Sequence, residues 1–477
     1  MDKKISAEAE CPQSSENLVG KEKSADNLLG KSPILRLLVR MALPTMLSMF
    51  IQSMYNIVDS IFVARLGEEQ LNAVSLIYPL QNLVLAVAVG AGVGLNSCIS
   101  RALGAKRKDS ANAYATHGFV LSGIHSVVFL LLGAFFIRPF LSLFTDDAEI
   151  MQYGISYGTI VVGCAVFSLV HISVEKLFQA TGNTTFPMLM QALGAVINLI
   201  LDPLLIYGVW IFPEMGVTGA AVATVIGQAC ACAVSLLWFF LKGNGLKVRF
   251  RGYRPNGKEI RAIYAVAVPS ALMMAMPSVL VGIMNAILDT VSDSAVNFFG
   301  IYYKLQTLVY VPASGLVQGM RPIVGYNHGA GEYKRMHDTV KWSVLIVGAF
   351  CVLGTLIFQL FPKQILALFG NDSNIKSIGV SALRILSSGF IVSTFGVILS
   401  GVFEALGMGI KSLLITVIRQ FIFIPTLSLC FMPLWGLSGA WITYPISEFL
   451  AAAFAIYIYL KFYLNCKKES EQSSEKS

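Results

Sequence analysis

Asp59 stands in "MYNIVDSIFVARLG", residues 54–67, with Ile57, Val58, Ile61, Phe62 and Val63 around it. Asp202 stands in "VINLILDPLL", one helical turn after Asn198. Burying a carboxylate as an ion is costly, so an acid inside an apolar run marks chemistry that needs a charge or a proton. Residues four apart share a helix face, which sets Asn198 beside Asp202. Two carboxylates brought together in a low-dielectric pocket cannot both ionise cheaply, so such a pair takes up and releases a proton. The same oxygens, with Asn198 and the hydroxyl of Thr224 in "AVATVIGQ", also suit Na+, a hard cation that prefers oxygen ligands. These residues do not separate H+ from Na+. Three competing readings stay open: Asp59 facing water at the end of its run near Arg65, Asp202 serving a cap or turn before Pro203, and Asn198 making only an interhelical hydrogen bond.

The elements that must position these groups are membrane helices. Of the 477 residues 55% are hydrophobic and 13% charged, with a mean hydropathy of +0.69, whereas a soluble domain carries about 25% charged residues. A spanning helix needs roughly 20 mostly apolar residues. Cut at its charged and Gly/Pro-rich punctuation, the chain divides into twelve spans near 35–63, 71–97, 114–138, 151–173, 184–208, 216–241, 262–288, 296–320, 340–361, 380–402, 412–432 and 436–462. Residues 1–32 are polar and read as a disordered cytoplasmic tail without a signal peptide. The eight cysteines are scattered and suggest neither a disulfide framework nor a metal site. Lys and Arg concentrate in the tail, after span 2 (Arg101, Lys106, Arg107, Lys108), after span 8 (Arg321, Lys334, Arg335, Lys341) and in "LKGNGLKVRFRGYRPNGKEIRA" at 241–262. The positive-inside bias then puts both termini in the cytoplasm. It also explains the basic loop without any nucleic-acid partner.

The chain resembles itself at an offset of 225 residues. Pro44 falls on Pro269, Gln81 on Gln306, Gly90 on Gly315, Gly104 on Gly329, and "FQATG" at 178–182 on "FEALG" at 403–407. After a small deletion "LDP" at 201–203 meets "FIP" at 423–425, and "GVTGAA" at 216–221 meets "GLSGAW" at 436–441. This predicts two homologous six-helix lobes, 33–241 and 262–462, joined by a basic linker at 242–261 and followed by a cytoplasmic tail at 463–477. With six spans each, the lobes enter the membrane in one orientation and form a parallel repeat suited to rocking about a shared cavity. Pro44 and Pro269 are candidate kinks in spans 1 and 7. Asp59 falls on Met284, Asp202 on Ile424 and Asn198 on Gln420. Acids needed for packing would be required in both lobes; their confinement to the first favours ion coupling.

The segments "KSPILRLLVRMALPTMLSMFIQSMYNIVDSIFVARLG", "SRALGAKRKDSANA", "FQATGNTTFPMLMQALGAVINLILDPLLIYG" and "GVTGAAVATVIGQ" together resemble the multidrug and toxic compound extrusion (MATE) family, in its DinF/MepA-like branch, over residues 31–462. The resemblance implies a twelve-helix, two-lobed secondary antiporter that exports organic, often cationic, drugs or metabolites in exchange for H+ or Na+. It implies that Asp59, Asn198 and Asp202 are the coupling residues. A family branch with sodium-site acids in spans 7 and 10 does not fit, because no acid stands in the middle of either.

In the second lobe Lys304, Arg419 and Glu448 form a candidate polar network of structural or gating role. A soft cavity between the lobes, suited to flat apolar cations, is expected from Gln52, Tyr55, Gln81, Met284, Gln306 and Tyr310. A lipid-linked oligosaccharide flippase is the alternative transporter, disfavoured because spans 1, 2, 7 and 8 hold one central base, Lys304. An enzyme is not expected, since the five histidines are dispersed and no GxSxG or Walker loop occurs. A monomer in the bilayer is expected, with small-molecule partners and no cofactor beyond the coupling ion.

Overall fold

The computed structural model describes residues 27–369 and 373–475, so the expected tail lies outside it as far as residue 26. Every regular element among the described residues is helical, and the helices stand in twelve columns. In the first lobe these are α1 (Ile34–Ala64), α2 (Glu68–Gly104), α3 (Lys108–Phe135), α4 (Ala148–Ala180), α5 (Thr185–Ile206) and α6 (Val217–Lys242). In the second they are α7 (Gly257–Asp289), α8 (Asp293–Gly329), α9 (Tyr333–Leu360), α10 (Ser373–Ser387 with Phe390–Ala405), α11 (Gly409–Trp435) and α12 (Leu437–Glu475). Ten columns are long and apolar enough to cross a bilayer, and the two segments of α10, bent by 51°, qualify together. The remaining column, α8, falls short because Lys304, Gln306, Gln318 and Arg321 interrupt its apolar run.

The repeat is visible in the element bounds. Helices α2 and α8 are both 37 residues long, begin at Glu68 and Asp293, and end at Gly104 and Gly329. Helices α3 and α9 are both 28 residues long, from Lys108 and Tyr333. Gly216 and Gly436 each open the last column of a lobe at φ of 55° and 58°, a backbone setting that disfavours a side chain. Pro44 and Pro269 both sit inside uninterrupted helices.

The lobes meet through α2 against α7, α8 against α1, and α2 against α8. Glycine makes this seam tight. A Cβ on Gly104 would enter the Tyr326 carbonyl, and one on Gly329 would enter the Arg101 carbonyl, the residue at the matching place in the other lobe. The close approach is confined to one half of the bundle. Buried residues run from Gly90 to Ser100 on α2 and nearly without a break from Ala313 to Asn327 on α8, and the facing sides of α1 and α7 bury Leu37, Leu38, Met41, Ala42 and Thr45, and Ile263, Val266, Ala267, Pro269 and Ser270. Beyond it the same helices expose Phe50, Met54 and Ile57, Tyr78 and Leu83, Leu272 and Val279, and Leu308. The lobes therefore splay away from the end that carries the basic loops, leaving a cleft open at the opposite end.

The basic end is braced. The linker is pinned to α3 by Lys247 N–H to Asn112 Oδ1 at 2.7 Å and by Arg249 N–H to Thr116 Oγ1 at 3.2 Å. Helix α7 starts at Gly257, inside the stretch expected to be linker. Residues 27–31, expected to be disordered, form a π-helical turn instead. Leu29 is fully buried there, and Arg335 donates to the Ser32 carbonyl at 2.9 Å. A tail rich in polar residues still folds where one leucine finds a pocket. Elsewhere exposed apolar side chains such as Val127, Leu130, Leu131, Leu353 and Leu356 cover the outer faces of α3 and α9, as a surface solvated by lipid requires.

Candidate functional site

Asp202 lies on α5, which continues through Pro203 to Ile206. It therefore caps nothing, and its side chain is 0% exposed. Asn198, 2% exposed, donates through Nδ2 to Asp202 Oδ1 at 3.1 Å and to Thr224 Oγ1 of α6 at 3.3 Å. Thr224 is in turn within hydrogen-bonding reach of Tyr55 on α1, which lies in the electrostatic range of both Asp59 and Asp202. Tyr55 and Asp59 share a face of α1, being four residues apart. Tyr157 of α4, buried and accepting from Gln81 Nε2 at 3.1 Å, closes the group from behind.

Three buried oxygens in this cluster have no hydrogen-bond partner: Asp59 Oδ1, Asp202 Oδ2 and Asn198 Oδ1. Asp59 is half-buried as a residue, with Oδ1 turned inward. All three are acceptors, and Asn198 Nδ2, the amide donor beside them, is already engaged with Asp202 Oδ1 and Thr224 Oγ1. A buried acceptor without a donor is expensive. A shared proton or a small hard cation is what such a set can hold. A cavity of about 110 Å³, lined by Gln52, Tyr55, Asn198, Thr224 and Gln228 among others, leads to these groups.

A second cavity of about 350 Å³ lies in the other lobe and is completed by Met49 of α1. Gln306 and Tyr310 line it, as do Arg419 and Glu448, whose ion pair spans 3.2 Å. Two sequence expectations need correction. Lys304 is exposed on α8 and takes no part in the Arg419–Glu448 pair, because the cavity side of that helix is presented by Tyr303, Gln306 and Tyr310. Met284 lines neither of these two cavities. It is fully buried in the second-lobe core, where the Ser428 hydroxyl contacts its sulfur, since an apolar side chain at the place of Asp59 packs inward.

Sequence reasoning missed a network across the seam. Lys176 Nζ donates to Glu175 Oε1 at 2.8 Å, Gln179 Oε1 at 3.1 Å and, from the other lobe, Gln318 Oε1 at 2.8 Å. Its signal was the same as that of the acids: on the 225 offset Glu175 and Lys176 fall on Ser400 and Gly401, so the charges stand in one lobe only. The other lobe holds a reciprocal set, in which Arg321 pairs with Glu404 and Ser270 donates to Glu404 Oε1 at 2.6 Å.

The MatE family model matches the chain twice, over residues 44–204 and 269–429, the second match displaced by the same 225 residues as the internal repeat. Over 434 residues the chain is 26% identical to an FAD transporter of Shewanella oneidensis, covering 90% of this chain and 94% of that one. It is 24% identical over 436 residues to the multidrug export protein MepA of Staphylococcus aureus, with the same coverage. Among solved structures, an outward-facing multidrug resistance MATE transporter of the MOP superfamily superposes with a TM-score of 0.86 at 26% identity, over 93% of this chain and 99% of that one. A MOP-superfamily transporter from Pyrococcus furiosus superposes equally well, over 92% and 98%. Matched twice across both lobes and folded as its solved relatives are, the chain belongs to the MATE family of multi-pass membrane transporters and is not an enzyme.

Proposed function

We propose that the protein is a secondary active antiporter that exports organic, cationic drugs or metabolites in exchange for H+, with Na+ as the other candidate ion, by alternating access of its two lobes. One observation carries the ion reading: three partnerless acceptor oxygens, Asp59 Oδ1, Asp202 Oδ2 and Asn198 Oδ1, buried together in one lobe. In this reading Asp59 and Asp202 share the proton, Asn198 and Thr224 hold Asp202 in place, and Tyr55 and Gln52 stand between the acids and the first-lobe cavity. Protonation removes the cost of the second carboxylate, so the site is stable loaded and strained empty. Export of toxic compounds agrees with the relative named for multidrug export. Both termini are assigned to the cytoplasm on the basic loops at their end, so the cleft faces outward and the ion enters from outside.

The test uses everted vesicles containing the full chain. Substrate addition should dissipate an imposed proton gradient, and Asp202→Asn should abolish this, with Asp59→Asn equivalent and the double variant no worse than either single one. Full dissipation in Asp202→Asn would refute the assignment. An effect of an imposed Na+ gradient in its place would transfer the site to Na+.

A further inference from the structure

The second-lobe cavity is the repeat counterpart of the one that reaches the acid pair. On the 225 offset Gln52, Tyr55, Leu85 and Ile172 of the first cavity fall on Pro277, Leu280, Tyr310 and Val397 of the second. Past the deletion Asn198, Thr224 and Gln228 fall on Gln420, Tyr444 and Glu448, which again line it. The chamber is duplicated but its chemistry is not. Met284 and Ile424, both buried, replace the two acids, and Arg419 stands where the first lobe has Ile197.

A pair of acids has thus been exchanged for one guanidinium beside one carboxylate. Both contacts to Glu448, at 3.2 and 3.3 Å, come from Nη1 of Arg419, which leaves the rest of the planar donor fork for a ligand oxygen. Gln420 Oε1 and the Tyr444 hydroxyl are buried in the same wall without partners. A simple cation would meet a carboxylate that is already paired, and a simple anion a guanidinium that is already neutralised. A ligand bearing both an ammonium and a carboxylate can insert into the pair and leave no charge alone. Phe299, Tyr303 and Tyr310 offer its body an aromatic wall, and the volume of about 350 Å³ suits a compact molecule. We propose that the second-lobe cavity is a separate binding site for compact aromatic zwitterions, with the carboxylate on Arg419 and the ammonium on Glu448.

The experiment measures equilibrium binding of three tritiated probes to the purified full chain in nanodiscs: L-tryptophan, tryptamine and indole-3-propionate. No ion gradient is present, so a failure of proton coupling does not move the result. L-Tryptophan should bind at least tenfold tighter than either singly charged probe. Tyr444→Phe should weaken it about threefold. The double variant Arg419→Gln/Glu448→Gln, which removes both charges together, should erase the preference. Equal binding of all three probes, no saturable binding, or a preference that survives the double variant would overturn the proposal. Should the double variant not fold, the wild-type ranking and Tyr444→Phe decide.

Discussion

Adding one methyl group to each of two seam glycines should open the closed end. A Cβ on Gly94 would lie 2.5 Å from the Ile263 carbonyl oxygen, and one on Gly319 would lie 2.7 Å from Ala42 Cα. Ordinary contacts need about 3.5 Å, so α2 and α7, and likewise α8 and α1, must part by roughly 1 Å. Overpacking of this size costs about 1–3 kcal/mol per site. The conformation in which this seam is open does not feel the clash, so each substitution shifts the balance toward it by about 5- to 150-fold. Gly94→Ala and Gly319→Ala, singly and together, would be combined with spin labels at Arg107→Cys and Glu332→Cys, exposed repeat-related sites beside the seam, in a background freed of native cysteines. Double electron–electron resonance should show a longer-distance population that grows from single to double variant. Unchanged distances in folded, fully expressed variants would refute the claim that glycine contact holds the lobes together.

Glu404→Ala strands Arg321, and because both side chains are largely buried the loss should be about 3–5 kcal/mol, whereas Arg321→Met/Glu404→Leu should return to within about 1 kcal/mol of the parent; equal losses by denaturant unfolding would exclude a paired role. Leu29→Ala empties a fully buried site at the basic end at a local cost of about 2–5 kcal/mol, so amide exchange at 27–32 should accelerate, and unchanged exchange would mean the turn is held by Arg335 and Asn327 instead.

The architecture was legible because the bilayer imposes it. Helices must satisfy their own backbone in lipid, so apolar length counts them, and duplicated spacing pairs them. That the matching helices α2 and α8 have equal lengths follows from the same offset that pairs Gly104 with Gly329. Boundaries were less legible: α2 and α8 continue through polar stretches to Gly104 and Gly329, beyond the apolar runs, because the seam at the basic end buries them. The acid pair could be named from sequence, since a carboxylate in an apolar run has few inexpensive explanations. Lys304 is the opposite case: the same signal marked it, yet the rotation of α8 turns it out of the cavity. The link from Lys176 to Gln318 joins residues 142 apart, a distance no local pattern spans.

Composition, apolar run length and the 225-residue repeat were enough to establish a duplicated twelve-helix membrane protein in which Asp59 and Asp202 have no acidic counterpart in the second lobe, because each is a property of residues read in order. Which of those residues face one another is not such a property. The rotation and packing of α1, α5 and α6 bring Asp59, Asp202, Asn198 and Thr224 into one cluster with unpartnered oxygens, bury Met284 in a core, and turn the second cavity from acidic to paired charge. Those outcomes depend on contacts between helices far apart in the chain, and only the assembled fold decides them.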